Sequence, residues 1–100
     1  MYDGPLVILI NEESASASEM LAAALQDYNR AVVIGRNSYG KATMQKMFPL
    51  DTVQANTTDC PYGFVKVTTA KLYRINGETI QQNGVQPDVA LPDVFDGLEY

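Results

Sequence analysis

The chain has 100 residues, a formal net charge of −5 and a hydrophobic content of 46%, which fits one small globular domain with a modest core. It has no histidine and one cysteine, so these residues alone cannot form a Ser-His-Asp triad, a Cys-His pair, an intrachain disulfide or an ordinary zinc site. Lysine and arginine are scattered, so nucleic acid is not an expected partner, and we expect neither a cofactor nor a metal.

No apolar run approaches the ~20 residues that span a bilayer. The first five residues also lack the basic region of a signal peptide. The protein is therefore expected to be either cytosolic or a piece of a longer chain.

The first third of the chain has the pattern of a β-α-β unit. Residues 5–10 form a short apolar run typical of a strand buried on both faces in a parallel sheet. A helix is predicted from Ser16 to Tyr28, and residues 31–35 form a second buried strand. The apolar stripe of the helix is predicted to contain Met20, Leu21, Ala23, Ala24, Leu25 and Tyr28.

The start of this helix matches a capping box. Ser16 is placed to bond the amide three residues later, and Glu19 to reach back to the Ser16 amide. Most matches of this kind are helix caps and nothing more, so the serines alone do not indicate an enzyme. Small residues at such a junction also leave a hydroxyl at a helix N-terminus, where backbone N–H groups stabilise developing negative charge.

The loop after the second strand is predicted to lie beside Ser16. The helix carries the chain back along the sheet, and the second strand returns it to the edge where the helix began. Residues 37–41 follow that strand and end in Lys41. Ser16 and Lys41 should therefore meet at the carboxyl edge of the sheet, which is the usual ligand edge of open α/β sheets.

The second half is predicted to be mainly β structure. We expect a short strand at residues 44–50, an exposed loop at 51–61 and a long alternating strand at 63–75. Asn76-Gly77 is typical of a hairpin turn, with residues 78–81 pairing back. A second turn at 83–84, a short strand within 85–91 and a loosely ordered acidic tail at 93–100 complete the chain.

Five motifs in register carry a resemblance to the C-terminal processing peptidases, and specifically to the tail-specific protease branch. The motifs are Ser14-Ala-Ser-Ala-Ser-Glu19, Ala24-Leu-Gln-Asp-Tyr28, Val33-Ile-Gly35, Tyr39-Gly-Lys41 with Gln45, and Gly84-Val-Gln-Pro-Asp88. The resemblance covers about residues 5–91. It implies an α/β fold with a core similar to those of ClpP and crotonase, here a β-α-β unit followed by β-hairpins.

The resemblance also implies an activity and a set of site residues. The family contains serine endopeptidases that use a Ser/Lys dyad, and its motifs place the nucleophile at Ser16 and the general base at Lys41. Gln45 would hold the lysine, and the Ala17 amide would be one oxyanion donor. Asp27 and Glu19 would support the site.

These residue types suit the chemistry. A lysine acts as a base near neutral pH only where burial disfavours its charged form, so we expect Lys41 to be buried. The residue after the lysine is usually glycine in this family but is Ala42 here, which restricts the backbone next to the base. The substrate implied is a protein or peptide with an exposed C-terminus, and the location implied is the bacterial cell envelope, on its periplasmic side.

The family's PDZ domain and its Gly-rich oxyanion segment are missing from the sequence. Residues 1–92 are therefore expected to be the C-terminal part of a peptidase core domain. By itself this part should have little activity, and its exposed sheet edges could drive self-association.

Two other readings remain open. A non-catalytic module on the same fold could hold a peptide or apolar ligand beside Ser16, although a binder has no need of serine, lysine and glutamine together. A crotonase-like acyl-binding enzyme is the third reading, and the lack of a basic group for CoA counts against it.

Overall fold

The computed structural model describes residues 2–50 and 62–92, so the predicted loop at 51–61 and the tail at 93–100 lie outside the described residues. The described part contains β1 (Val7–Ile10), α1 (Ala17–Asp27), β2 (Val32–Gly35), β3 (Thr43–Pro49), β4 (Phe64–Lys71) and β5 (Val89–Ala90). The predicted helix and the first three predicted strands are confirmed to within one or two residues at each end.

The strands form two sheets. β1, β2 and β5 make a parallel sheet in the order β1-β2-β5, which confirms the predicted β-α-β unit. Ile10 pairs with Gly35 at the carboxyl ends of β1 and β2. Parallel pairing brings the loops that follow these strands to one edge of the sheet.

β3 and β4 form a separate antiparallel ribbon. Its register is irregular between Met44 and Gln45, and an extra residue on one strand bends the ribbon locally and redirects side chains. The irregularity therefore lies beside Gln45, one of the residues that the sequence assigns to the site.

The core is small and is built where α1 crosses the parallel sheet. Its buried apolar residues come from β1, α1, β2 and the segments that follow them: Ile10, Ala22, Ala23, Val33, Ala42, Ile80 and Val85. Glu19 lies among them with none of its surface exposed. A charged side chain is rarely buried without polar partners, so the partners of Glu19 determine how this part of the molecule is held together.

The predicted apolar stripe of α1 is confirmed at Ala23 and is wrong at its largest side chains. The buried helix residues are Glu19, Ala22 and Ala23, whereas Leu21 is 61% exposed and Tyr28 is 70% exposed. Two alanines let the helix lie close to the sheet, and the Glu19 carboxylate must face inward to reach its hydrogen-bond donors. The largest apolar side chains of the helix consequently lie on the opposite face.

The prediction that the first two strands are buried on both faces is also wrong. Along β1 the side chains alternate, with Ile10 buried and Leu9 74% exposed. α1 covers one face of the parallel sheet, and within residues 2–50 and 62–92 no second layer covers the other face.

The long strand predicted at residues 63–75 ends at Lys71, and the hairpin predicted at Asn76-Gly77 does not form. A turn is present, because Arg74 N–H donates to the Glu78 carbonyl at 2.8 Å, but residues 78–81 form no strand. The terminal strand is shorter than predicted and consists of Val89–Ala90.

Two glycines with positive φ differ in how much room they have. At Gly84 (φ +69) an added Cβ would overlap the Ser38 carbonyl oxygen, whereas at Gly77 (φ +86) nothing lies within 4 Å of the added atom. We expect Gly77→Ala to cost about 1 kcal/mol from the backbone conformation alone. Gly84→Ala should cost at least about 2 kcal/mol more, since backbone must move.

Thermal unfolding of the two variants side by side checks this prediction. Equal destabilisation would show that Gly84 is not packed against the loop at Ser38.

Candidate active site

Ser16 lies at the junction between the loop after β1 and the start of α1. It is the N-cap residue of α1, and its backbone has φ 58° and ψ −113°, a left-handed conformation that a non-glycine residue adopts only at a cost. An N-cap serine ordinarily has an extended backbone. The surroundings of Ser16 therefore hold it in a strained turn between loop and helix.

The Glu19 carboxylate is the hub of the site. Its Oε2 accepts from Ser16 N–H at 2.7 Å and from Lys41 N–H at 2.9 Å, and its Oε1 accepts from Ser38 Oγ at 2.5 Å and Gly40 N–H at 2.6 Å. Ser16 and Glu19 form the predicted capping box. The main role of the Glu19 carboxylate is to join the helix start to the loop at residues 38–41.

The structure brings the backbones of Ser16 and Lys41 together. Both amides donate to the same Glu19 oxygen, and Tyr39 N–H donates to the Ser14 carbonyl at 2.9 Å. The expected meeting of residues 25 positions apart is therefore found. The expectation that Lys41 is buried is not met, because the residue is half-buried.

Ser38 completes this network, and the sequence interpretation overlooked it. The side chain is buried, and its hydroxyl donates to Glu19 while accepting from Val85 N–H at 2.6 Å. The available signal was a serine that follows a buried strand and lies at the start of the loop that carries Lys41. A buried glutamate in that neighbourhood requires hydrogen-bond donors.

The segment at residues 80–85 supports the lysine loop from the other side. Ala42 N–H donates to Gln81 Oε1 at 2.7 Å, and Gln82 N–H donates to the Gly40 carbonyl at 2.8 Å. Ala42 itself is buried in the core. The backbone on both sides of Lys41 is thus fixed by hydrogen bonds.

Asp27 lies at the other end of α1 and pairs with Arg74. Arg74 Nε donates to both carboxylate oxygens, at 3.0 and 3.2 Å, and Arg74 Nη2 forms a further short contact to Oδ1. The side chains are 9% and 18% exposed for Asp27 and Arg74. The pair joins the end of α1 to the segment that follows β4, and the sequence interpretation did not single out Arg74.

Loss of Arg74 is expected to destabilise the protein. Arg74→Ala would leave the Asp27 carboxylate largely buried without its cation, at a cost of about 3 kcal/mol. The measurement is the thermal unfolding midpoint, with the exposed Lys66→Ala as control. An Arg74→Ala midpoint no lower than that of the control would contradict a structural role for the pair.

Both carboxylates favour their charged form. Burial by itself raises the pKa of the Glu19 carboxyl, but the hydrogen bonds that it accepts outweigh burial and hold its pKa below the ordinary 4.5. Hydrogen bonds from the Arg74 guanidinium lower the pKa of Asp27 below the ordinary 3.8. The unfolded chain therefore binds these protons more readily than the folded one.

It follows that the stability contributed by Glu19 and Asp27 is present above the ordinary carboxyl pKa and is lost as pH falls through the lowered folded values. We expect the unfolding midpoint to decrease as pH is lowered below about 4, with a smaller decrease in Arg74→Ala. Stability that rose on acidification through this range would contradict these directions.

Gln45 and Ala17 complete the predicted set. Gln45 Nε2 donates to Thr43 Oγ1 at 2.9 Å and to Thr68 Oγ1 at 3.5 Å, so its recorded partners lie within the β3-β4 ribbon and not at Lys41. Ala17 begins α1 and is exposed. Its N–H belongs to the first helical turn, where backbone donors have no intrahelical partner.

The arrangement brings a hydroxyl at a strained helix start next to a loop that carries an amine, and these are two of the groups that acyl transfer by nucleophilic catalysis uses. In residues 2–50 and 62–92, no three His, Cys, Asp or Glu side chains group as metal ligands would. The same residues contain no helix long and apolar enough to cross a membrane.

Residues 1–91 match the family model described as peptidase family S41. The chain is 42% identical to a tail-specific protease of Haemophilus influenzae, over 99% of this chain and 14% of that protein. It is 39% identical to a carboxy-terminal-processing protease of Bartonella bacilliformis, over 95% of this chain and 21% of that protein.

Among solved structures, a photosystem II D1 C-terminal processing protease is similar, with a TM-score of 0.72 and 38% identity over 87% of this chain and 20% of that chain. The matched part of the chain therefore spans about a fifth of that structure and about a seventh to a fifth of the two bacterial relatives.

Proposed function

Because the chain belongs to peptidase family S41, we propose that it carries the nucleophile and the general base of a serine endopeptidase. Ser16 is the nucleophile and Lys41 is the base. The observation that carries the proposal is the single Glu19 oxygen that accepts both the Ser16 and the Lys41 amides. It holds the backbones of the two segments next to each other, and this supports a proposal in which their side chains act together.

The strained backbone of Ser16 supports the same assignment. Strained residues persist where the surrounding structure over-determines them, and they cluster at active sites. A nucleophile on a sharp turn at the start of a helix has an exposed hydroxyl and an adjacent free amide.

In the proposed reaction, Lys41 Nζ takes the proton from Ser16 Oγ as Oγ attacks the scissile carbonyl carbon. The resulting oxyanion accepts a hydrogen bond from Ala17 N–H. The C–N bond then breaks, and the leaving amine receives the proton from Lys41. Water releases the acyl group from Ser16 by the same proton route.

Gln45 is proposed to assist by orienting Lys41 in the substrate complex. Its present partners are Thr43 and Thr68, and catalytic hydrogen bonds often form only when substrate is bound. Asp27 supports the site indirectly through Arg74.

We propose that the substrate is a protein or peptide with an exposed C-terminus, because two of the relatives are named for C-terminal processing and one for tail specificity. We also propose a periplasmic location in a bacterial cell envelope, where such substrates would be met. Cell fractionation with an antibody to this chain tests the location.

Residues 1–92 are proposed to form part of a peptidase core within a longer protein. The outer face of the parallel sheet supports this, because Val7, Leu9 and Val32 are exposed there and an α/β sheet normally has both faces covered. The isolated 100 residues should therefore self-associate through bare faces and edges, which light scattering measures. A monodisperse monomer would contradict this part of the proposal.

Peptide cleavage by the complete protein that contains this chain tests the activity. Wild-type protein should cleave an unstructured C-terminal peptide, and Ser16→Ala should reduce kcat/KM by a factor of about 10⁴ or more. The matched control is Ser18→Ala, two residues further along at an exposed position, which should retain cleavage. Cleavage that persists in Ser16→Ala would overturn the assignment.

A further inference from the structure

A pocket of about 180 Å³ lies where β3 begins, beside the end of β4. Its lining carries one cation and several hydrogen-bonding groups, and consists of Ala42, Thr43, Lys71, Tyr73, Thr79 and Gln81. Ala42 directly follows Lys41 in the chain, so the Cα atoms of these two residues are ~3.8 Å apart. The backbone of the proposed base therefore adjoins the pocket, and the reaction proposed above gives the pocket no role.

The irregular register of the β3-β4 ribbon brings a lysine to this pocket. Gln45 pairs with Thr68. A regular ladder continued from this pair would place Ala70 opposite Thr43, but the register shift places Lys71 there instead. Residues directly opposite each other in an antiparallel pair lie on one face, with Cβ atoms about 5 Å apart. The shift thus puts a cation where an alanine would otherwise lie, and β-bulges often redirect a side chain beside a functional site.

The other polar groups of the lining keep hydrogens that they can donate. Thr43 Oγ1 accepts from Gln45 Nε2 at 2.9 Å, and Thr79 Oγ1 accepts from a backbone N–H at 3.1 Å. Each hydroxyl therefore retains its own hydrogen as a donor. Gln81 Oε1 accepts from Ala42 N–H at 2.7 Å, so the NH₂ group is the remaining hydrogen-bonding group of that amide.

The charge of Lys71 is not balanced by a carboxylate at this pocket. The lining contains no Asp or Glu, and within residues 2–50 and 62–92 the lysine forms no ion pair. β3 and β4 together contain three lysines and no acidic residue, although the whole chain has a net charge of −5. A cation surrounded by hydrogen-bond donors favours an anionic ligand.

We propose that this pocket binds a carboxylate group of the substrate, held by Lys71 Nζ together with the hydroxyl and amide donors of the lining. The proposal rests on the peptidase function proposed above. A carboxylate accepts up to about four hydrogen bonds. A cavity of about 150 Å³ holds benzene, so one of about 180 Å³ has room for a carboxylate and the carbon that carries it. The terminal carboxylate of a peptide and an Asp or Glu side chain both supply this chemistry.

Binding is measured by NMR in the complete protein with Ser16→Ala, so that the result does not depend on cleavage. One probe is N-acetyl-leucine, whose carboxylate is terminal, and another is the α-amide of N-acetylglutamic acid, whose carboxylate is on the side chain. N-acetyl-leucinamide is the neutral control. A carboxylate probe should produce saturable shifts of the Ala42 amide and the Gln81 side-chain NH₂ signals, and the neutral probe should not. The carboxylate probe that binds more tightly identifies the source.

Lys71→Gln in the same protein should weaken binding of the carboxylate probe by about tenfold or more, because a charge-assisted hydrogen bond is lost. The matched control is Lys66→Gln, the same change at another exposed position of β4 outside the pocket, and its affinity should not change. In protein that retains Ser16, Lys71→Gln should lower kcat/KM for a peptide with the preferred carboxylate, relative to the neutral amide of that peptide, by a similar factor.

Equal probe affinity in Lys71→Gln and Lys66→Gln would overturn the proposal, and so would the absence of a shift with both carboxylate probes. Failure of the proposed peptidase function appears separately, as cleavage that survives Ser16→Ala.

Discussion

Glu19→Gln is expected to release the loop that carries Lys41 from the start of α1. Each oxygen of the carboxylate accepts hydrogen bonds from two donors. In glutamine one of these oxygens becomes an NH₂ group, which is itself a donor and cannot accept from the two donors that it faces. We expect a loss of about 3 kcal/mol from the charge-assisted hydrogen bonds that are removed.

Hydrogen exchange of the complete protein measures this effect locally. The amides of Ser16, Gly40 and Lys41 should exchange about 100-fold faster in Glu19→Gln, the equivalent of that free energy. Peptide cleavage should fall with it. Glu13→Gln, the same change on an exposed side chain, should leave exchange at these amides as in wild type, and unchanged protection in Glu19→Gln would contradict the role of Glu19 as the hub.

Lys41→Arg is expected to abolish cleavage as completely as Lys41→Ala does. Arginine keeps the positive charge and a long side chain, but its guanidinium cannot act as a base because it stays protonated in proteins. If Lys41 only supplied a positive charge, cleavage would survive the change to arginine. We expect kcat/KM to fall by a factor of about 10³ or more in both variants.

Steady-state cleavage of the C-terminal peptide by the complete protein tests this prediction. Lys46→Arg, at an exposed position on β3, is the matched control and should cleave normally. Substantial activity in Lys41→Arg would show that the lysine acts as a charge and not as a base.

The arrangement of Ser16 and Lys41 could be predicted because it depends on local patterns. Two apolar runs joined by a helix specify parallel strands, and parallel strands bring the loops at their carboxyl ends together. Nothing more than the order of these elements is needed to place residue 41 near residue 16. The β-α-β unit and the meeting of the two loops follow from that.

The buried face of α1 could not be predicted from hydrophobicity. The inward-facing position is occupied by Glu19 because four donors converge there, one from Ser16 at the helix start and three from the loop at residues 38–41, which is distant in sequence. Leu21 and Tyr28 have larger side chains than Ala22 and Ala23, yet the two alanines are the ones buried in the core.

Tertiary contacts also explain why β4 ends at Lys71 and why the hairpin predicted at Asn76-Gly77 does not form. Alternation continues through residues 72–75, but Arg74 pairs with Asp27 on α1 and Leu72 donates to Ala42. These tertiary contacts direct the segment toward the helix, and an ion pair between residues 47 positions apart leaves no trace in local periodicity.

Labelling of the complete protein with a fluorescent serine-reactive phosphonate tests most directly whether Ser16 is a nucleophile activated by Lys41. The account predicts labelling of wild-type protein, none in Ser16→Ala, and a loss of labelling in Lys41→Ala although Ser16 is present. Folded wild-type protein that is not labelled, or Lys41→Ala that labels as fast as wild type, would contradict it.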